Sequence, residues 1–309
     1  MNLYIIFLAF ILDLIFKDIE PWPHPVRFIG QLINKLEKYA RNQNVISLKV
    51  SGLLCVLFAS ILVSIVVFIL ISLPLLGWLF KLYFAYAGLA LGGLLEKGRE
   101  VLELLKKDNI EKAREKLSYL VSRDTSCMEK NEILKTLAET LSENFNDAFV
   151  APFFYLVIGG PVLLWLYKTV STFDSMWGYK TEKFKDLGFA GAKLDDIMAY
   201  LPARISFIVI FLVSYVTRRK NRILQKIKCA IRDAKKMESP NAGWSMAACA
   251  HVFEKQMGGI SIYFGKEVEK PVLGPPGEWT IQDIEILLRY LLLCGIVVCI
   301  SFLAVKNIL

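Results

Sequence analysis

The sequence predicts an all-α, polytopic integral membrane protein: a single membrane domain over residues 1–309, with about five or six membrane helices and amphipathic helical segments on the cytoplasmic side. Three observations carry this expectation. Apolar residues make up 55% of the chain and the mean hydropathy is +0.47, more than ordinary globular packing uses. Several apolar runs are long enough to cross a bilayer. The formal charge of +8 comes from Lys and Arg lying largely between those runs. In a membrane protein this reflects cationic residues kept on the cytoplasmic face more often than a nucleic-acid surface.

Residues 3–16 are apolar apart from Asp13 and lack a basic leader or small-residue cleavage site, so they read as a short anchor or span. Pro21, Pro23 and Pro25 follow, and their spacing predicts a stiff extended loop that presents His24 on a rigid arm. Residues 27–41 have amphipathic helical spacing through Phe28, Ile29, Leu32, Ile33 and Leu36. Residues 50–72 and 74–95 predict two spans joined by a tight turn, the second interrupted by Lys81 alone. Residues 96–120 alternate Lys and Glu with Leu102, Leu105, Ile110, Ala113 and Leu117, a solvated helical arm.

Ser126 and Glu129 have capping-box spacing, which places Arg123 to Ser126 at a helix entrance suited to an anion. In the helix that follows, Glu139, Glu143 and Asn146 share a narrow arc with Asp147 at its edge. Leu134, Leu137, Leu141, Phe145 and Phe149 lie opposite. The pattern runs directly into the apolar stretch 150–166, where Gly159-Gly160-Pro161 predicts a break. Such a break is tolerated at membrane depth only inside protein or along a cavity, so residues 167–199 are expected to return toward the site. Residues 200–216 form another span, with Arg204 one turn in and in need of a partner; Asp195 or Asp196 is the expected one. The basic cluster at 218–222 places the turn-rich loop 218–285 in the cytoplasm, and 290–305 is the last span.

The chemistry concentrates between residues 122 and 204. Six cysteines show no CxxC pair and read as reduced, mostly core residues. With only His24 and His251, a His-rich metal site is excluded, whereas a hard-cation site built from oxygen ligands stays open. Residues 259–266 mimic a phosphate-binding loop but have the wrong glycine spacing and end in Glu267, so that reading is rejected. Any one carboxylate among Glu139, Glu143, Asp147, Asp174, Asp195 and Asp196 is an ordinary solvated group. Gathered beside Arg123, Lys168, Lys180 and Arg204, they point to a shared polar site for metal-bridged phosphates.

These residues carry a resemblance to the membrane-bound adenosylcobinamide-phosphate synthase family of cobalamin biosynthesis (CbiB/CobD). It runs nearly end to end. It rests on Pro23-His24-Pro25-Val26-Arg27, Arg123-Asp124-Thr125-Ser126, Glu139-Thr140 with Glu143-Asn144 and Asp147, and Tyr167-Lys168. It continues through Asp174-Ser175-Met176, Leu194-Asp195-Asp196, Pro202-Ala203-Arg204, Ser239-Pro240-Asn241-Ala242-Gly243 and Lys270-Pro271. The sequence departs from the family pattern at Ile19, Phe145, Ala148, Ser171, Ala199 and Ile260-Ser261.

The resemblance implies joining of adenosylcobyric acid to (R)-1-amino-2-propanol or its phosphate through an amide bond, driven by ATP with Mg²⁺. For that reaction, chemistry assigns the metal to Glu143, Asp147 or Asp174, and substrate or phosphate binding to Arg123, Lys168, Lys180, Arg204, Asn144 and Asn241. His24, Asp195 or Asp196 would take the amine proton. The implied partners are the corrinoid, the amino alcohol, nucleotide and membrane lipid, with no nucleic acid and with room for association with other membrane enzymes of the late pathway. The implied location is the cytoplasmic membrane, with the active site facing the cytoplasm. The competing reading is a non-catalytic membrane sensing or assembly protein on the same helix bundle; the retained charged positions argue against it.

Overall fold

The computed structural model describes residues 2–17, 24–43, 45–179, 181–217, 222–263 and 266–308. The Pro-rich arm at 18–23, Lys180 and the basic residues 218–221 lie outside the described residues.

In chain order, α1 (Leu3–Phe16) is apolar throughout and, at 14 residues, too short to cross a bilayer alone. α2 (Pro25–Asn42) is the amphipathic helix, followed by α3 (Leu48–Ile71), whose first turn is capped by Ser47. α4 (Gly77–Ala87) and α5 (Leu91–Lys106) divide the second apolar run near Gly88, and α6 (Ile110–Ser118) ends the charged arm. α7 (Lys130–Asn144), a π-helical turn (Phe145–Val150) and α8 (Ala151–Trp177) follow without a loop. α9 (Phe189–Met198) and α10 (Tyr200–Val216) are a bent pair. α11 (Ile223–Ala234) and α12 (Ala242–Phe253) lead to an antiparallel hairpin of β1 (Met257–Tyr263) and β2 (Lys266–Leu273), and α13 (Ile281–Ile308) closes the chain.

Among the described residues, four helices are long and apolar enough to cross a membrane, or five if the bent pair is one span. The expected sixth is the short α1. α3 settles the environment: only 28% of its apolar window is buried within the chain, and Leu54, Phe58, Ile61, Ile65 and Phe68 stay exposed along it. A ribbon of that length is stable only against lipid.

Contacts gather the chain into two compact units, each assembled from separated segments. The first comprises Met1–Ala90, Ala151–Ala199 and Ser301–Leu309. Here α8 packs on α3, α9 and α2, and α1 packs on α4. Trp165 is fully buried, and its indole N–H donates to the Phe84 carbonyl at 2.9 Å, so the indole is satisfied as well as packed. The expected break falls at Gly160, whose φ of 66° and ψ of −161° are open to glycine and strained for other residues. Pro161 follows, so a backbone donor is missing where the helix is interrupted.

The second unit comprises Leu91–Val150 and Tyr200–Ile300. α12 packs on α11, α10 and α7, and the hairpin rests on α7, α11 and α12. Ser206 on α10 donates to the Asn146 side chain in the π-helical turn at 2.8 Å, and Tyr290 on α13 donates to the Ile210 carbonyl.

Three local expectations are corrected. Ser126 does not cap α7: its hydroxyl donates to Asp124 at 2.7 Å, and the helix starts one turn later with Glu129 as N-cap, paired with Glu132 in the capping box. Pro25 does not prolong an extended arm but occupies the first turn of α2, where its missing N–H costs nothing and its φ suits the helix; His24 is the N-cap. The stretch 218–285 is not mostly loop. Its described part forms α11, α12, the hairpin and the start of α13, with turn residues marking only the junctions.

Candidate functional site

In the second unit, α7 presents Glu139 inward, 1% exposed. Its Oε2 lies 2.6 Å from Arg123 Nη2, and its Oε1 accepts the Gly258 backbone N–H at 2.7 Å. Arg123 Nη1 also donates to Thr136 Oγ1 at 3.3 Å and Ser261 Oγ at 3.2 Å. The residues preceding α7 therefore do not leave Arg123 open at a helix entrance. The guanidinium is turned inward, tying that segment to α7 and the hairpin.

One turn along α7, Glu143 lies within the electrostatic reach of Lys270, Arg123 and Glu139. Lys270 comes from β2, where it faces Gly259 across the hairpin. Two cations and two carboxylates are thus held toward the C-terminal end of α7. Asn144 donates back to Thr140, to its carbonyl at 3.0 Å and its Oγ1 at 2.9 Å. Asp147, in the π-helical turn, accepts from Asn146 at 2.7 Å. That turn changes the register assumed from 100° per residue, so Asn146 is carried to Ser206 and away from the Glu139 and Glu143 arc.

At the same open end of the hairpin, Asp233 on α11 accepts three bonds: from Lys236 Nζ at 2.6 Å, from His251 Nε2 at 2.7 Å and from the Gly274 N–H at 3.0 Å. Burial works to raise its pKa, but the hydrogen bonds from Lys236, His251 and Gly274 outweigh it and hold the carboxyl below its ordinary range. An ionised Asp233 fixes the proton of His251 on Nε2. Outside the hairpin, a cavity of about 440 Å³ borders Arg114, Arg123, Asp124 and Ser126, and the Ser126 N–H and hydroxyl hold Asp124 low.

Arg204, on the first turn of α10, is not paired with Asp195 or Asp196. Its Nη1 donates to the Tyr200 carbonyl at 2.9 Å and to Asn241 Oδ1 at 2.7 Å, and its Cζ lies 3.5 Å from the Tyr200 ring and 4.6 Å from the Trp244 ring. A buried amide at the start of α12 and two aromatic faces take the place of the expected carboxylate.

The first unit holds the remaining positions. His24 Nδ1 accepts the Val26 N–H at 3.3 Å, and its ring centroid is 6.3 Å from that of Trp165; Trp165, not His24, lines an apolar cavity of about 450 Å³ with residues of α2, α3 and α4. Lys168 and Asp174 are half-buried on α8. The Asp174 carboxylate and backbone carbonyl both lie over Gly178, the carbonyl oxygen 2.5 Å from where a Cβ would stand, so a larger residue there would force the backbone to shift. On α9, Asp196 pairs with Lys193 at 3.7 Å, and the charge of Asp195 reaches Tyr155, whose hydroxyl donates to the Met198 carbonyl. Among the described residues, no three His, Cys, Asp or Glu side chains come together as a metal-binding set.

Sequence reasoning left Lys270, Tyr200, Trp244 and the Asp233–His251 pair outside the site. Lys270-Pro271 stood among the blocks carrying the resemblance, but the packing of the hairpin on α7 that brings Lys270 within electrostatic reach of Glu143 is not written in local sequence.

These features define a polytopic helical membrane protein that holds buried charges of both signs between α7 and the hairpin. A family model described as CobD/Cbib protein matches residues 6–291. The cobalamin biosynthesis protein CobD of Clostridium perfringens (strain 13 / Type A) is 38% identical, over 87% of this chain and 86% of the relative. Those named cobalamin biosynthesis protein CobD from Leptospira interrogans serovar copenhageni and from Citrobacter koseri are 35% and 34% identical, covering 97% and 98% of this chain and 96% and 97% of each relative. No solved structure matches significantly. The chain belongs to the CobD/CbiB family, and its role lies in cobalamin biosynthesis.

Proposed function

We propose that this protein is an ATP-dependent ligase that joins the free carboxylate of adenosylcobyric acid to (R)-1-amino-2-propanol or its O-2-phosphate, giving adenosylcobinamide or its phosphate. The observation that carries the reading is the charge group formed by buried Arg123 and Glu139 with half-buried Glu143 and Lys270, because a scaffold gains nothing from drawing four charges together where withdrawal from water costs energy unless they are matched. Family membership supplies the pathway, and the charge cluster supplies the reason to expect catalysis.

A carboxylate is a poor acyl donor. Its oxygen would attack the γ-phosphorus of ATP, releasing ADP and leaving an acyl phosphate; the amine would then attack the carbonyl carbon and phosphate would depart with the bonding pair. Arg123, Lys168, Lys180 and Lys270 are the cations proposed to hold phosphate oxygens, with Asn144, Asn241 and Arg204 orienting the polar ends of the substrates. His24, Asp195 or Asp196 would accept the amine proton.

The donor chemistry fits Mg²⁺ arriving with the nucleotide: such an ion needs one or two carboxylates besides phosphate oxygens, and Glu143 and Asp147 lie one turn apart. Asp174 is the third candidate. When bound, the ion supplies charge neutralisation at the transferring phosphate. The proposed setting is the cytoplasmic membrane with this site open to the cytoplasm, and association with other membrane enzymes of the late pathway fits the same setting.

The test is to incubate purified protein with adenosylcobyric acid, ATP, Mg²⁺ and either amino alcohol, and to weigh the corrinoid product by mass spectrometry. A gain in mass equal to the amino alcohol less water supports the reading. An unchanged corrinoid with a folded, membrane-inserted protein overturns it.

A further inference from the structure

Arg204 is held as a recognition group is held. Its Nη1 is spent on the Tyr200 carbonyl and Asn241 Oδ1. Asn241 is 4% exposed, and its backbone N–H and that of Ala242 donate to Ser239 Oγ at 3.2 and 3.4 Å, so the amide that positions the guanidinium is itself fixed. Trp244 is locked by its indole N–H on the Pro240 carbonyl at 2.9 Å and by the edge of Phe207, with ring centroids 5.2 Å apart. The guanidinium carbon lies over both the Tyr200 and the Trp244 ring. What remains is one in-plane edge, Nε–H and Nη2–H, and it meets no acceptor among the described residues.

A guanidinium one turn into an apolar helix needs an anion. Here the protein provides an amide oxygen and a carbonyl, both neutral, on the side away from the open edge. The open edge is a pair of parallel N–H donors with the spacing of two oxygens of one carboxylate or phosphate. We propose that the Nε and Nη2 edge of Arg204 is a preformed fork for a two-oxygen anion, a carboxylate or a phosphate, carried by a soluble ligand or by a lipid headgroup at the membrane surface. The fork stands on the geometry alone. Only the identity of its natural occupant rests on the ligase reading above, which supplies candidates of both kinds.

The experiment measures binding without turnover, so a failed ligase assay leaves it untouched. The thermal unfolding midpoint of the full chain in neutral detergent is followed against sodium propionate and inorganic phosphate at constant ionic strength with chloride. In a second arm it is followed in phosphatidylcholine nanodiscs with and without phosphatidylglycerol. Each arm is repeated with Arg204→Lys, a point charge without the fork, and with Asn241→Asp, which keeps the shape but gives Nη1 a carboxylate of its own.

The expected result is a saturable upward shift for the wild type in at least one arm, with the apparent dissociation constant raised tenfold or more in Arg204→Lys. Where that variant fails to fold, Asn241→Asp must show the same loss. A response to propionate or phosphate assigns a soluble ligand, and a response to phosphatidylglycerol alone assigns a headgroup. No saturable shift in either arm, or folded variants that respond as the wild type does, overturns the fork.

Discussion

Glu139 Oε1 accepts the backbone N–H of Gly258 at 2.7 Å across 119 residues of chain. Because Oε2 of the same carboxylate faces Arg123, one side chain both neutralises a buried cation and anchors the hairpin. Glu139→Gln would keep a carbonyl oxygen for Gly258 but strand the Arg123 charge, 8% exposed. We expect a loss of about 3–5 kcal/mol in stability from breaking one side of a buried pair. Replacing both, as Arg123→Met with Glu139→Leu, should cost less than the sum of the single changes. Denaturant unfolding of the four proteins measures the coupling, and strict additivity would show that the pair is not one unit.

Gly258 is the second half of that contact. Its φ is +81°, and a Cβ there would stand 2.1 Å from the Pro271 carbonyl oxygen, which belongs to the paired strand and cannot retreat. Gly258→Ala is therefore strained in backbone and in packing. A loss of at least about 1–3 kcal/mol is expected from the conformation alone, and more from the collision. Increased amide exchange through 257–273 is the signature to measure. Gly259 has a similar φ of +85° but open space around it, so Gly259→Ala should be the milder change.

The contrast between these glycines shows what the sequence made legible and what it hid. The spans, the amphipathic α2 and the Gly159-Gly160-Pro161 break were readable because each follows from local composition or backbone chemistry. The region 218–285 was misjudged because Gly, Pro and Asn mark junctions clearly, while the short helices between them, such as the Ala-rich α12, carry little periodic signal. Arg204 was rightly read as needing a partner. Its actual partners, Asn241 and Trp244, come from 37 and 40 residues downstream, and only tertiary structure brings them there. The π-helical turn was invisible for a similar reason, since nothing in Phe145–Val150 departs from α-helical spacing.

Asp233 gives a pH dependence whose sign can be worked out. Its folded pKa lies below the ordinary value of 3.8, so the fold favours the ionised form. The stabilisation is complete above the unfolded-state value and is lost as pH falls through the lower, folded one. Asp233→Asn should destabilise by about 2 kcal/mol at neutral pH, through weakened bonds to Lys236, His251 and Gly274. The difference from wild type should hold down to about pH 4 and narrow below it. Thermal midpoints of both proteins from pH 7 to pH 3 check this, and a gap that widens with acid would reverse the assignment.

Asp147 is the sharpest test of the proposed chemistry. It accepts from Asn146 through one oxygen, so Asp147→Asn can stay in place while losing the charge that an Mg²⁺–nucleotide would meet. Turnover in the mass assay should fall by roughly 100-fold or more, with unchanged membrane extraction and unfolding. Normal turnover in Asp147→Asn would remove this residue from the metal set and leave Glu143 to carry it.

Topology offers a prediction independent of turnover. Lys168, Asp174 and Asp195 are proposed to serve an ATP-dependent site, and nucleotide is available on the cytoplasmic face. The segment between α8 and α9 should then face the cytoplasm, which the Gly160 interruption of α8 permits without a full crossing. Lys185 is exposed in that segment and suits a reporter cysteine. The natural Cys127 is exposed and Cys229 partly so, and both must first become Ser; Cys55, Cys249, Cys294 and Cys299 are buried, and burial pushes the Cys249 thiol up to about 12, which slows its labelling. In intact cells, a membrane-impermeant maleimide should leave Lys185→Cys unmodified, and in inverted vesicles it should label it. Labelling from outside intact cells would put the segment on the far face, separate Lys168, Asp174 and Asp195 from the nucleotide, and restrict the proposed phosphate site to Arg123, Glu143, Asp147 and Lys270.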